Sequence, residues 1–314
     1  MTTINEQKVN YIWESLSAPV EEDRSIVYKE EIRIQNSNGT AASVLNSNNR
    51  LVFHVQDFSN IYLPSEAELE IEFSVVRDLD LLTPFALDTK ATLIANGWNL
   101  FRRGMLKIGD QIIEDKEDVG LGSTIMDLVY KSKGYLKTVG SKSWSYYDTG
   151  AGLIDEGPVT VTGADIANLV SKVNPAYNDG FAQRRLFTDA SSTYTIRLPL
   201  RDIFGYLRDS NVPIIGSTIT FELDRDDREF KNILRGPAPL LDGKIEFTRA
   251  EIFMPKVKPS LEVASQIAKD MLSGVPTRVP FREFKTWTTD LADSTQTSWL
   301  VTSKSAKPVK VYFA

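Results

Sequence analysis

The chain has 314 residues, 42% of them apolar and 25% charged, with no cysteine and with 36 Lys and Arg against 42 Asp and Glu for a net charge of −6. At this length roughly three quarters of the unfolded chain's surface can be buried, so a core suffices without covalent staples. The missing cysteine excludes a disulfide framework, a thiolate metal site and a cysteine nucleophile, and frees the fold from any need for an oxidising compartment.

Residues 1–24 read as an amphipathic arm. Thr3 and Glu6 have capping-box spacing. Val9, Ile12, Trp13 and Leu16 follow at i, i+3, i+4 and i+7, which makes one apolar stripe, and Pro19 ends it. Such a helix either folds back on its own domain or docks on a neighbouring subunit. The segment lacks the basic start and apolar centre of a signal peptide. It is also acidic, with Lys8 and Arg24 set against Glu6, Glu14, Glu21, Glu22 and Asp23. An arm that neutralises phosphates would be basic, so no direct nucleic-acid binding is expected. No apolar run reaches the roughly 18 residues of a membrane span.

From about residue 26 the period changes to two. Ile32 and Ile34 alternate in "EIRIQN", and Leu51, Phe53 and Val55 share a face of "RLVFHVQDF". In "AELEIEFSVV", Leu69, Ile71, Phe73 and Val75 point one way while Glu68, Glu70, Glu72 and Ser74 point the other. One buried and one wet face is the signature of an antiparallel sheet. "MLKIGDQIIE" reads as a hairpin turning at Gly109-Asp110. Further strands are expected at "TYTIRLP", "STITFELD", "KIEFTRAEIFM", "VPFREFKTW", "SWLVTS" and "PVKVYF".

Helices are few: "GSTIMDLVYKSK" with Ser123 as its cap, a short one at "GADIANLVSKV", and "KPSLEVASQIAKDMLSG". In the last, Ser260 caps the start and Gly274 ends it. Leu261, Ala264, Ile267, Ala268, Met271 and Leu272 form one face. Strands joined by long loops argue against a βαβ fold. They argue for an all-β sandwich of antiparallel strands, a jelly roll. The expected layout is an arm (1–24), a first roll (25–259) with a long loop insertion at 135–192, and a connecting helix (260–274). The remainder, 275–314, is either the start of a second roll or C-terminal strands.

Reactive chemistry is sparse. His54 is the one histidine, on a strand face, and no Gly-x-Ser-x-Gly turn accompanies it. "EDKED" (114–118) reads as a solvated turn. Asp224, Asp226 and Asp227 carry oxygen ligands suited to calcium, but Arg225 and Arg228 interrupt them. "GLGST" (120–124) lacks the lysine and glycine spacing of a phosphate loop. No catalytic residue, metal site or cofactor is assigned. Trp144, Tyr146 and Tyr147 in "SWSYYDTG" have three readings: a loop packed on its own sandwich, a subunit interface, or a sugar-stacking surface.

The segment "IRLPLRDIFGYLRD" (196–209) mixes charge with large apolar residues. Pro199 stops strand pairing. Ile203, Phe204 and Leu207 are expected to plug the end of a sandwich, with Arg201, Asp202, Arg208 and Asp209 on the wet side. Neither Arg201 with Asp202 nor Asp202 with Arg208 is at helix-pair spacing, so these charges are expected to contact other segments or another subunit.

Several segments in order carry a resemblance: "NGWNLFRRGMLKIGDQIIE", "STIMDLVYKS", "WSYYDTG", "NDGFAQRRLFTDASSTYTIRLPLRDIFGYLRDSNVPIIGSTITFELDRDD", "IFMPKVKPS" and "KPVKVYFA". Together they resemble the double jelly-roll major capsid proteins of Polinton-like elements, adintovirus-like agents and virophages, over roughly residues 50–314. A second eight-strand roll does not fit after residue 274. The chain therefore reads as a double roll in compact form, as the larger part of one, or as a single roll like a vertex (penton) protein. The resemblance implies a non-enzymatic virion protein, assembled inside the host cell. It further implies homotrimers of pseudo-hexameric outline in an icosahedral shell, with minor or vertex capsid proteins as further partners. Val9, Ile12, Trp13, Leu16, Trp144, Tyr146, Tyr147, Arg201 and Arg208 are its candidate subunit-interface residues. A lectin-like β-sandwich is the alternative outside that family.

Overall fold

In the computed structural model, the described residues are 25–56, 60–77, 91–148, 179–190, 193–210, 212–226, 233–235, 238–239, 243–274 and 278–286. The strands are β1 (Ile26–Gln35), β2 (Arg50–Val55), β3 (Ile61–Tyr62), β4 (Glu68–Arg77), β5 (Ala91–Leu93), β6 (Phe101–Ile108), β7 (Gln111–Glu117), β8 (Tyr194–Pro199), β9 (Ile214–Ile215), β10 (Ile219–Arg225), β11 (Ile233–Arg235), β12 (Ala238–Pro239) and β13 (Gly243–Pro259). The α-helices are α1 (Ala42–Ser47), α2 (Val119–Tyr130), α3 (Lys133–Thr138), α4 (Asp179–Ala190), α5 (Gly205–Asp209) and α6 (Leu261–Leu272).

One sheet runs β8-β4-β13-β3-β9 with β1 also on β13, and a second runs β2-β10-β6-β7. Numbered by the eight long strands alone, these orders are 1-8-3-6 and 2-7-4-5. That is a jelly roll, in which chain neighbours alternate between the two sheets except at the β6–β7 hairpin and close two Greek keys. A third, small sheet is β12-β11-β5. β10 pairs antiparallel with β2 and β6, β4 with β8 and β13, β6 with β7, β3 with β9, and β11 with β5 and β12, and Phe221 at the centre of β10 sits opposite both Phe53 and Leu106.

The core lies between the two large sheets. Leu69, Ile71, Phe73 and Val75 of β4 join Leu51, Phe53 and Val55 of β2 and Ile219, Phe221 and Leu223 of β10 in one buried cluster. The alternation read in the sequence therefore sets the inward face. The outward faces carry ion pairs across the strands. Arg50 Nε lies 2.6 Å from Asp224, Arg103 lies 2.6 Å from Asp115, and Lys107 pairs with Glu222. On the other sheet, Arg197 and Arg249 lie 2.8 and 2.7 Å from Glu70.

The hairpin forms as expected, with Gly109 at φ 59°. Helix α6 also begins and ends as expected. The Val263 N–H donates to Ser260 Oγ at 3.5 Å, and Gly274 takes φ 67°.

Four expectations are corrected. The helix expected to start at Ser123 starts at Val119, after Asp118 in the left-handed region, so Ser123 lies inside α2. "EDKED" is not a solvated turn: residues 114–117 continue β7, with Glu114 and Lys116 buried by the strand's own alternation. Residues 279–286 of the expected strand "VPFREFKTW" run as a segment without regular structure. Helix α4 forms where no helix was expected. Arg184 faces inward there and interrupts the apolar stripe that would have signalled it. The expected helix at "GADIANLVSKV", the strands "SWLVTS" and "PVKVYF" and the arm 1–24 lie outside the described residues.

The chain divides into two compact units, residues 1–29 with 257–277 and residues 30–256 with 278–314. The second unit holds the core of the roll. In the first, α6 buries none of its residues, and Leu261 and Leu272 are each 88% exposed.

Candidate functional site

The end of the roll is closed by the segment after β8. A 3-10 turn at Leu200–Asp202 leads into α5. Leu200, Ile203, Phe204 and Leu207 are fully buried, and the Phe204 ring packs 6.1 Å from Phe221. Glu114, reaching up from β7, accepts the N–H groups of Gly205 at 3.1 Å and Tyr206 at 2.5 Å. These are free donors at a helix start, so a carboxylate is well placed there. Lys116 neutralises that carboxylate at 2.6 Å and donates to the carbonyl of Ile203, also at 2.6 Å. Burial pulls the Lys116 ammonium below the usual lysine range, while Glu114 opposes the shift. Each charge of this buried pair thus has a partner, as burial demands.

Residues 280–284 cross this end as a strap without regular structure. The Phe281 ring meets Tyr206 edge-on at 5.5 Å, and the Phe284 ring lies 3.9 Å from Lys116 Nζ. Arg282 binds Asp209. Only glycine permits the approach at position 205, because a Cβ there would lie 1.9 Å from the Arg282 carbonyl.

Helix α2 has its polarity reversed. Its buried residues are Val119, Gly120, Gly122, Ser123 and Asp127. Gly120, Ser123 and Asp127 seat on residues 96–99, while Gly122 faces Phe284 and Thr286. Asn96 donates to Asp127 at 2.8 Å, and Ser123 donates to Asn96 at 3.2 Å. A Cβ at Gly120 would stand 2.7 Å from the Asn99 backbone, which explains the small residue. Leu121, Leu128, Val129 and Tyr130 are instead 42–53% exposed. At the helix end, Lys131 bridges Asp127 at 2.6 Å and Asp202 at 3.2 Å, tying α2 to the plug. Burial raises the Asp202 carboxyl above its ordinary range despite Lys131. Asp202 is therefore an enclosed partner of Lys131, not a wet-side charge.

The sequence-derived candidates are distributed as follows. Val9, Ile12, Trp13 and Leu16 lie outside the described residues. Trp144 is only 4% exposed, in the left-handed region at φ 57°, with its ring 5.6 Å from Phe73 and 5.7 Å from Tyr194. Tyr146 is part-buried beside it, stacked on Phe187, and burial raises its hydroxyl above the usual tyrosine range. Tyr147 is half-buried with Lys133 Nζ 5.2 Å from its ring. Arg201 is exposed. Arg208 reaches the Arg282 carbonyl at 3.0 Å. The reversed face of α2 was not singled out in the sequence, though Leu121, Ile125 and Leu128 at i, i+4 and i+7 carry its signal.

The remaining chemical candidates have structural partners. His54 Nδ1 contacts Thr220 Oγ1 at 2.9 Å across the strands. Asp224 is engaged by Arg50 and Arg103. Arg225 is buried and donates to the carbonyls of Leu45 and Ile245. Asp227 lies outside the described residues. Among the described residues there is no group of three or more His, Cys, Asp or Glu that could hold a metal. Nor is any helix among them long and apolar enough to cross a membrane.

No protein-family model matches the chain, and no curated protein matches it. Among solved structures, it is similar to a chain of the Sputnik virophage structure, at 10% identity and TM-score 0.46, over 76% of this chain and 49% of that one. The Faustovirus major capsid protein matches at 10% identity and TM-score 0.44, over 80% and 57%. The mavirus major capsid protein matches at 13% identity and TM-score 0.40, over 78% and 49%. The chain thus spans about half the length of the solved chains it resembles.

Proposed function

We propose that this chain is a structural protein of a virion shell, a capsid subunit that associates with copies of itself. The observation that carries this reading is the reversed helix α2, set on a jelly roll. Its small and polar residues face the chain's own fold, while Leu121, Leu128 and Val129 face outward. A helix with an apolar outer face needs a partner surface. The sheet faces, by contrast, are laced with ion pairs, so contacts between copies belong to the insertion between β7 and β8. The ordered motifs that resemble double jelly-roll capsid proteins point the same way.

In this reading the subunits form homotrimers with a pseudo-hexameric outline. They tile an icosahedral shell with minor or vertex proteins, and no catalytic residue or cofactor takes part. Interfaces of this kind bury ~1,200–2,000 Å² or more. The lectin alternative is disfavoured by Trp144, whose ring packs against Phe73 and Tyr194 where a sugar would have to stack.

Size-exclusion chromatography with negative-stain microscopy tests the reading. Trimers or larger arrays are expected, and Leu128→Asp is expected to shift them towards monomer with the roll intact. A strict monomer that binds glycans would sink the proposal.

A further inference from the structure

We infer that the exposed apolar stripe of helix α6 is the dock for the chain's own N-terminal arm, laid antiparallel along it. Leu261, Ala264, Ile267, Ala268, Met271 and Leu272 lie on one half of the helix. Nothing on α6 is buried, and Leu261, Met271 and Leu272 are 88%, 57% and 88% exposed. Such a stripe is stable in water only when covered.

Three observations select the arm as its cover. First, the chain leaves the arm beside the helix start: the Ser260 N–H donates to the Ser25 carbonyl at 2.8 Å. Ser25, where the described chain begins, is therefore held next to the N-cap of α6. Second, the arm carries a matching stripe, Val9, Ile12, Trp13 and Leu16, after which Pro19 breaks the helical pattern. Third, the lengths agree. Residues 17–24 can span up to roughly 26 Å when extended, ample for a reversal. Helix α6 is about 18 Å long, enough to receive a four-residue stripe that covers about 10 Å.

The pin also sets direction. Running back from Ser25, the docked arm would pass the start of α6 first, so that Leu16 meets Leu261 and Ala264 while Val9 meets Met271 and Leu272. This docking is a property of one chain and does not rest on the capsid reading.

The natural chain has no cysteine, so paired cysteines report the register cleanly in the full-length protein. A disulfide needs Cα atoms within about 7 Å. Position 271 lies about 10 Å along the helix from position 264. Under mild oxidation, Leu16→Cys with Ala264→Cys is expected to close within one chain at least ten times more than Leu16→Cys with Met271→Cys. The yield is expected to be the same after tenfold protein dilution. Equal yields from the two pairs, or disulfides that form only between chains and vanish on dilution, overturn the inference. As a second readout, Trp13→Asp is expected to raise amide exchange across 261–272 about tenfold while β4 and β10 keep their protection. Unchanged exchange in 261–272 also overturns it.

Discussion

Asp209 accepts three hydrogen bonds from Arg282, a residue 73 positions further along: from the backbone N–H at 2.9 Å, from Nε at 3.0 Å and from Nη2 at 3.3 Å. Arg208 lies alongside, with its Nε 3.3 Å from Asp209. One carboxylate on the plug thus holds the strap by both its main chain and its side chain.

The Arg282 side chain beside Asp209 lowers that carboxyl from its ordinary 3.8 to about 2. A carboxyl with a depressed folded pKa stabilises the fold fully above its unfolded value, and this contribution fades as pH falls through the folded one. The docked strap is therefore expected to hold down to about pH 4 and to loosen between pH 4 and 2. Carbon-detected NMR titration of Asp209 checks this, with Arg282→Ala moving the midpoint up towards 3.8. A midpoint unchanged by that substitution would contradict the assignment.

Gly205→Ala places a methyl group where the Arg282 carbonyl sits, 1.9 Å away. Backbone cannot yield there as a flexible side chain would. The expected outcome is a strap lifted off an intact roll. Limited proteolysis should cut near residues 278–286 faster than in the parent chain, while the β10 amides keep their exchange protection.

Glu114→Ala removes the acceptor for two helix-start N–H groups and leaves the Lys116 charge buried. Breaking a buried pair from one side costs about 3–5 kcal/mol. Glu114→Gln with Lys116→Met removes both charges and retains an acceptor, so it is expected to cost less than the single change. Urea midpoints at unchanged slope provide the comparison. A double variant worse than Glu114→Ala would show that the ion pair, not its satisfaction, stabilises the end of the roll.

Phe204→Ala empties a fully buried site against Phe221 and is expected to cost about 3–5 kcal/mol. Arg201→Ala, at an exposed position two residues before Ile203, should stay within about 0.5 kcal/mol. Chemical denaturation of both variants tests the plug. Near-equal stabilities would show that Phe204 does not seal the roll.

Local patterns and tertiary demands divided the information. The alternation of Leu69, Ile71, Phe73 and Val75 was legible because a strand's side chains alternate whatever it pairs with. The Gly109-Asp110 turn and the Ser260 and Gly274 limits of α6 were legible because turns and caps are met by residues close in sequence. Glu114 and Lys116 were misread because a charged run looks solvated until its long-range partners, Gly205, Tyr206 and Ile203, are known. Helix α4 went unseen because Arg184, fully buried, donates to the carbonyls of Leu93 and Ile94 and to Asp148.

An antiparallel sandwich with few helices, no cysteine chemistry and a sealed turn at 200–209 follows from the residues alone. Period, proline, glycine and capping residues act over a few positions, and they suffice for that. The strand order of the roll, the inward path of the Glu114–Lys116 pair, the strap on Asp209 and the outward face of α2 emerge only from the folded arrangement. Each of these depends on which distant segment lies opposite a side chain, and no local spacing encodes that.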